Sequence, residues 1–286
     1  MTISCVLTGA LVFAAALARP AIGQSTAGPE TVVINNGAVS LHALLWRPHG
    51  RGPFPAILFN HGSGRTQEEL QRLGPYEAQA ETLGPVFARH GYVFLFPFRQ
   101  GVGLSADQGA SAIDLMNSER VAHGQDGRNA IQLRLLENRE LSDAAAALNF
   151  LRGLPEVDAR KVAIVAHSFG GSLTILQAER VPDLRAVVIF SAAGYSWDQS
   201  AELRARLLAA MAHIRAPVFL IHAANDYSVS PGNALDARLA QLGKPHQLKI
   251  YPSIGRTPDD GHNFVFLGLN VWAPEVFGFL DKHMRR

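Results

Sequence analysis

From Lys161 to Tyr251 the chain repeats one pattern, a short apolar run followed by a segment of helical periodicity. The runs are Lys161–Ala166, Ala186–Phe190, Pro217–His222 and Gln247–Tyr251, and the segments between them are Gly170–Arg180, Ala201–His213 and Gly232–Gly243. A strand that is apolar along its whole length must be covered on both faces. The intervening helices are the crossovers that parallel strands require. This alternation excludes sandwiches, bundles and simple repeats, and predicts an α/β fold.

The earlier half extends the same sheet. Thr31–Ile34 and Val39–Trp46 are β-rich, and Asn36-Gly37 between them predicts a hairpin turn, since both residues tolerate positive φ. Ala56–Asn60 reads as a buried strand running into the loop His61-Gly62-Ser63-Gly64, and Tyr76–His90 reads as a helix stopped by Gly91. Tyr92–Phe96 is a further strand ended by Pro97. The stretch 100–138 is the least regular, with a short helix expected only at Ile113–Arg120; Glu140–Gly153 is helical. A long loop and a last helix near Trp272–His283 complete the chain. The expectation is a sheet of about eight strands, mostly parallel, with an antiparallel first pair, helices on both faces and no large lid. Neither a linker nor a repeat divides the chain, so residues 26–286 are expected to form one domain.

With 48% hydrophobic and 17% charged residues among 286, the chain is globular in composition. A net charge of +2 without a dense Lys/Arg run gives no footprint for nucleic acid. Cys5–Ala18 is apolar, uncharged and too short to span a bilayer, and small residues follow at Ala16-Leu17-Ala18 and Ala21-Ile22-Gly23. Residues 1–23 therefore read as a secretory signal peptide, although no Lys or Arg marks its start. The expected location is secreted or periplasmic, with no membrane span in the mature chain. Cys5 is the only cysteine, so the mature chain has no disulfide and no thiol nucleophile.

The chemistry gathers at strand ends. Ala166-His167-Ser168-Phe169-Gly170-Gly171 joins an apolar strand to a helix, as the nucleophile elbow G-x-S-x-G does. A sharp turn there lifts the serine hydroxyl above the sheet. The residues two before and two after must be small because two backbones crowd together, and Ala166 and Gly170 are small. The Phe169 N–H opens the helix and is expected to form one arm of an oxyanion hole, with the Ser63 or Gly62 N–H as the other. An acid and then a histidine should follow in chain order, each after a strand. Asp226 follows Pro217–His222 and His262 follows Gln247–Tyr251. In this reading His262 is the general base for Ser168, and Asp226 orients and stabilises its imidazole. Asp198 is a rival acid, whereas Asp259 and Asp260 are expected to cap the His262 loop or face solvent. His61, His167 and Arg99 flank the candidate site, and His222 reads as an ordinary core histidine. No H-E-x-x-H or similar spacing suggests a metal, and no cofactor is expected.

Phe59–Gly64, Phe98-Arg99-Gln100-Gly101, Ala166–Gly171, Ala224-Asn225-Asp226 and Asp260-Gly261-His262 stand in the order found in the α/β-hydrolase superfamily. From about Leu41 onward the chain is most similar to its dienelactone hydrolase-like branch, and it also resembles prolyl oligopeptidase catalytic domains. The resemblance implies an eight-stranded sheet and a Ser-Asp-His triad. Dienelactone hydrolases proper carry a cysteine nucleophile where this chain has Ser168, which favours esters generally over lactones. The expected activity is hydrolysis of a small-molecule carboxylic ester through an acyl-serine. An amidase or peptidase would use the same residues, and a non-catalytic binding protein on the same scaffold is the reading from a different class.

Overall fold

Eight apolar runs pair into one sheet in the order β1-β2-β4-β3-β5-β6-β7-β8. The structure, a computed structural model, describes residues 28–64 and 73–284; the expected signal peptide lies outside the described residues. The strands are β1 (Glu30–Asn36), β2 (Val39–Trp46), β3 (Phe54–Asn60), β4 (Val93–Pro97), β5 (Val157–His167), β6 (Ala186–Phe190), β7 (Val218–Ala223) and β8 (His246–Tyr251). β1 and β2 pair antiparallel, as do β2 and β4, and every pairing from β4 through β3 to β8 is parallel. The described helices are α1 (Tyr76–Arg89), α2 (Ala112–Glu137), α3 (Arg139–Gly153), α4 (Phe169–Arg180), α5 (Ala201–Ala210), α6 (Ser230–Gln241), α7 (Pro258–His262), α8 (Phe264–Leu267) and α9 (Leu269–Met284).

Alternate strand residues feed two separate cores, as the two-residue period of a strand requires. Leu58, Leu95, Ile164, Ile189 and Leu220 point to one face and pack with Leu136, Leu148, Leu173, Leu207 and Leu239 from α2 to α6. Phe59, Phe96, Val165, Phe190 and Ile221 point to the other face, under α1 and α9. That second core is aromatic: Phe87 stacks on Phe94 at 4.8 Å and Phe59 on Phe96 at 5.1 Å, and Trp272 meets Phe190 edge-on at 5.2 Å. Each such ring buries enough apolar surface to contribute roughly 1.5–3 kcal/mol.

Three sequence expectations change. The hairpin register pairs Asn36 with Val39, so the turn is Gly37-Ala38 and not Asn36-Gly37. Only Gly37 takes a positive φ there, at 63°. Asn36 stays in the strand because its amide is engaged on α3: its Nδ2 donates to Asp143 Oδ1 at 2.8 Å, and its Oδ1 accepts from Ser142 Oγ at 3.0 Å. The stretch expected to be irregular is the 26-residue α2, capped by Ser111 and broken at Gly124 (φ 68°, ψ −161°). Finally, His262 does not sit in a loop but ends the one-turn helix α7, whose capping box is Thr257 and Asp260.

Gly84 lies in the middle of α1, and a Cβ there would collide with the Trp46 ring. In an exposed helix, Gly→Ala gains about 1 kcal/mol. Here overpacking costs about 1–3 kcal/mol. Gly84→Ala is therefore expected to lower the urea midpoint with an unchanged slope, and a higher midpoint would contradict the packing described.

Candidate active site

Ser168 occupies the turn between β5 and α4 with φ 56° and ψ −119°, a region a residue with a side chain seldom enters. Its N–H donates to the Phe190 carbonyl on β6 at 2.9 Å, and its own carbonyl accepts from Gly171 N–H at 2.9 Å. The crowding expected around the elbow is present. Ala166 is fully buried between β3 and β6, and a Cβ on Gly170 would strike the carbonyl oxygens of Asn60 and His61.

The end of α7 meets this hydroxyl, and the turn after β7 stands behind it. His262 Nε2 lies 2.8 Å from Ser168 Oγ, and His262 Nδ1 lies 2.7 Å from Asp226 Oδ1. The Asp226 side chain is shut off from water. Burial alone would raise its carboxyl, but the His222 and His262 hydrogen bonds outweigh burial and hold it well below the usual carboxylate range. An ionised carboxylate only accepts, so the His262 proton sits on Nδ1. That leaves Nε2 to accept the Ser168 proton. Asn225 secures the arrangement: its Nδ2 donates to the Ile254 and Thr257 carbonyls, each at 2.8 Å, and its Oδ1 accepts from Ile254 N–H at 3.0 Å. The turn carrying Asp226 is thereby stapled to the segment that leads to His262. His167 adds a brace, its Nε2 meeting the His262 carbonyl at 2.9 Å.

The other aspartates are elsewhere. Asp198 is exposed on the 3-10 turn Trp197–Gln199, and Asp260 caps α7 by accepting from the Arg256 and Thr257 N–H groups. His222 was not legible as a site residue. Its Nδ1 lies 2.8 Å from Asp226 Oδ2, so the carboxylate is held by a histidine on each oxygen. The only sequence signal is its four-residue spacing from Asp226 at the end of an apolar strand.

The loop after β3 approaches from the opposite side. A Cβ on Gly62 would lie 3.3 Å from Ser168 Cβ, and Ser63 and Phe169 share a pocket with Ser168. Arg99 shapes this loop from beneath. Its Nη2 donates to the His61 carbonyl at 2.9 Å and the Gly62 carbonyl at 3.2 Å, while its Nε donates to Glu140 Oε2 at 2.7 Å. Both carbonyls are thereby held on the Arg99 side. His61 is buried and neutral: Nδ1 donates to the Gly62 carbonyl at 2.6 Å, and Nε2 accepts from Arg99 N–H at 3.3 Å. Burial first, and the Arg99 charge second, push His61 well below its ordinary value.

The pocket at Ser168 is narrow and polar. Met116, Arg128 and Gln132 of α2 close it with Ser172, Tyr195 and Ser196, and its free volume is about 20 Å³. A larger groove of about 510 Å³ runs between α2 and Glu202 and holds neither a nucleophile nor a histidine. Among the described residues, no group of three or more His, Cys, Asp or Glu side chains is arranged to hold a metal ion. No helix there is long and apolar enough to cross a membrane.

Because the unfolded chain protonates His61 below 6.5 and the folded one resists it, the stability lost at His61 begins as pH falls through that value. Wild type is therefore expected to lose more urea stability than His61→Gln between about pH 7.5 and about pH 5.5. Equal losses would show that His61 is not held neutral.

The fold recurs among known proteins. No curated protein sequence matches the chain. Among solved structures, the acylaminoacyl peptidase of Pyrococcus horikoshii superposes with a TM-score of 0.62 at 17% identity, covering 90% of this chain and 41% of its own. The esterase of Pyrococcus furiosus superposes with a TM-score of 0.61 at 15% identity, covering 90% of this chain and 91% of its own. Dipeptidyl peptidase 4 of Porphyromonas gingivalis gives 0.59 at 16% identity, covering 89% and 35%. The chain thus spans about two fifths of the peptidase's length, and at such identities these likenesses establish the α/β-hydrolase fold. The family model described as "Dienelactone hydrolase family" matches residues 73–265, more than half of the sequence, and the chain belongs to that family.

Proposed function

We propose that the protein is a serine carboxylic ester hydrolase in which Ser168, His262 and Asp226 form the catalytic triad. The observation that carries this reading is the unbroken chain of hydrogen bonds from Ser168 Oγ through His262 to Asp226, at 2.8 and 2.7 Å. Ser168 Oγ attacks the acyl carbon as its proton passes to His262 Nε2. The negative charge that develops on the carbonyl oxygen is met by the N–H of Phe169 and that of Ser63 or Gly62. His262 then delivers the proton to the departing alkoxide, leaving an acyl-serine and a free alcohol. Water attacks the acyl carbon, His262 takes its proton, and collapse returns that proton to Ser168 with release of the carboxylic acid.

A free volume of about 20 Å³ is near that of a single water site, which favours short acyl groups over fatty ones. Met116, Arg128 and Gln132 make α2 the element that shapes this end of the substrate site. An amide would meet the same groups, so the ester assignment rests on the relative ease of the leaving group. The apolar leader ending near residue 23 supports action outside the cytoplasm, and the exported protein is expected to begin near Arg19 or Gln24 on N-terminal sequencing. A start at Met1 would remove that support.

Intact mass after treatment with a fluorophosphonate is expected to show one adduct on wild type and none on Ser168→Ala. No adduct on folded wild type would favour the binding-protein reading. Hydrolysis of p-nitrophenyl acetate should fall by at least about a thousandfold in Ser168→Ala. Faster turnover of the matching anilide than of the ester would instead identify an amidase.

A further inference from the structure

We propose that His222 is a positioning residue for the reaction: it acts through Asp226, holding the carboxylate in the plane and orientation that keep His262 aimed at Ser168. The inference rests on the triad reading above and extends it by a fourth side chain.

Asp226 sits on a turn just past β7, where a carboxylate has rotational freedom about χ2. Its two oxygens are nevertheless fully assigned. Oδ1 accepts from His262 Nδ1 at 2.7 Å and from Tyr227 N–H at 2.7 Å. Oδ2 accepts from His222 Nδ1 at 2.8 Å. Without His222, Oδ2 would be a buried oxygen with one donor removed, and the carboxylate would be free to rotate toward other donors. Any such rotation moves Oδ1, and with it the imidazole that must stay in line with Ser168 Oγ. His222 is itself fixed. It is 2% exposed at the end of β7, and a Cβ on Gly232 at the start of α6 would stand 2.7 Å from its Cδ2 and 2.9 Å from its Nε2. Gly232 therefore leaves room for the ring only where its Nδ1 faces Asp226.

The position of the donor matters more than its charge. Because Asp226 is ionised, it can only accept, so His222 must carry a proton on Nδ1 whichever state Nε2 is in. An asparagine at 222 places its Nδ2 close to where the histidine Nδ1 stands, and so keeps the donor while removing the ring. A leucine keeps the bulk and loses the donor. The other groups that face this cluster are His167, 5.1 Å from His262 between ring centres, and Tyr227, 4.7 Å from His262; neither lies between His222 and Asp226.

The experiment compares wild type, His222→Leu, His222→Asn and Ser168→Ala in p-nitrophenyl acetate turnover and in the rate of labelling by a fluorophosphonate. His222→Leu is expected to lower kcat and the labelling rate by roughly 10- to 100-fold with KM nearly unchanged, and His222→Asn to recover most of the loss. A purely structural role would lower the folded fraction and leave the labelling rate of the folded molecules as in wild type. That result, or equal impairment of the Leu and Asn variants, would overturn the proposal. Should His222→Leu fail to fold, the imidazole nitrogen NMR spectrum of wild type, assigned with His222→Asn, decides. A proton on Nδ1 of His222 supports the proposal, and an Nε2–H tautomer overturns it. Wild type that takes no label at Ser168 would sink the triad reading and this one with it, whereas labelled wild type with an equally reactive Leu variant would sink this one alone.

Discussion

The turn at Ser168 is the constraint around which the rest is arranged. A serine at φ 56° and ψ −119° carries a strain of order 1–3 kcal/mol, and nothing local relieves it. The surroundings hold it in place. β3 and β6 flank β5 in parallel register up to Ala166 and His167, the Phe190 carbonyl captures the Ser168 N–H, and the missing side chain of Gly170 lets α4 start against the end of β3. The sheet is thus a clamp, and the serine hydroxyl projects because the backbone beneath it has nowhere else to go.

Around that clamp the protein buries several charges close together. Arg99 and Glu140 pair out of water, Arg139 also reaches Glu140, and Asp143 accepts from Gln100 and from Asn36. Burial raises Asp143 from its ordinary value, while Asp226 falls well below the usual carboxylate range because two imidazoles answer its charge. Such buried pairs add little net stability over apolar residues of the same size, since desolvation offsets their attraction. What they supply here is position. The loop after β3, the first hairpin and α3 are locked to one another through directional bonds that a greasy contact would not provide.

Much of this was legible in the sequence, for identifiable reasons. Strands such as Ala186–Phe190 are apolar on both faces and bounded by turns, so their burial between helices could be read directly, and Ser168, Asp226 and His262 follow strands in the required order. α2 is legible only at Ile113–Arg120, because further on its inward stripe carries Arg128 and Gln132, polar residues facing the serine pocket, which break the apolar period a helix is recognised by. The hairpin was misplaced by one residue because the fate of Asn36 depends on Asp143 and Ser142, more than a hundred positions away. His222 gave no sign beyond its four-residue spacing from Asp226. A histidine closing an apolar strand looks the same whether or not a carboxylate waits four residues on.

The break at Gly124 divides α2 into two unequal jobs. Downstream of it, Ile131, Leu135 and Leu136 are sunk in the core and tie the helix to the sheet. Between Met116 and Arg128 most residues face solvent, Val121 to the extent of 90%. The helix kinks at that point, where Gly124 leaves helical φ/ψ. Of the α2 side chains that line the pocket, Met116 stands on the outer arm and is packed into the core, while Arg128 and Gln132 stand on the inner arm. The pocket lining is thus held by the folded core, and the stretch that a lineage carrying this scaffold can vary freely is the exposed one around Val121.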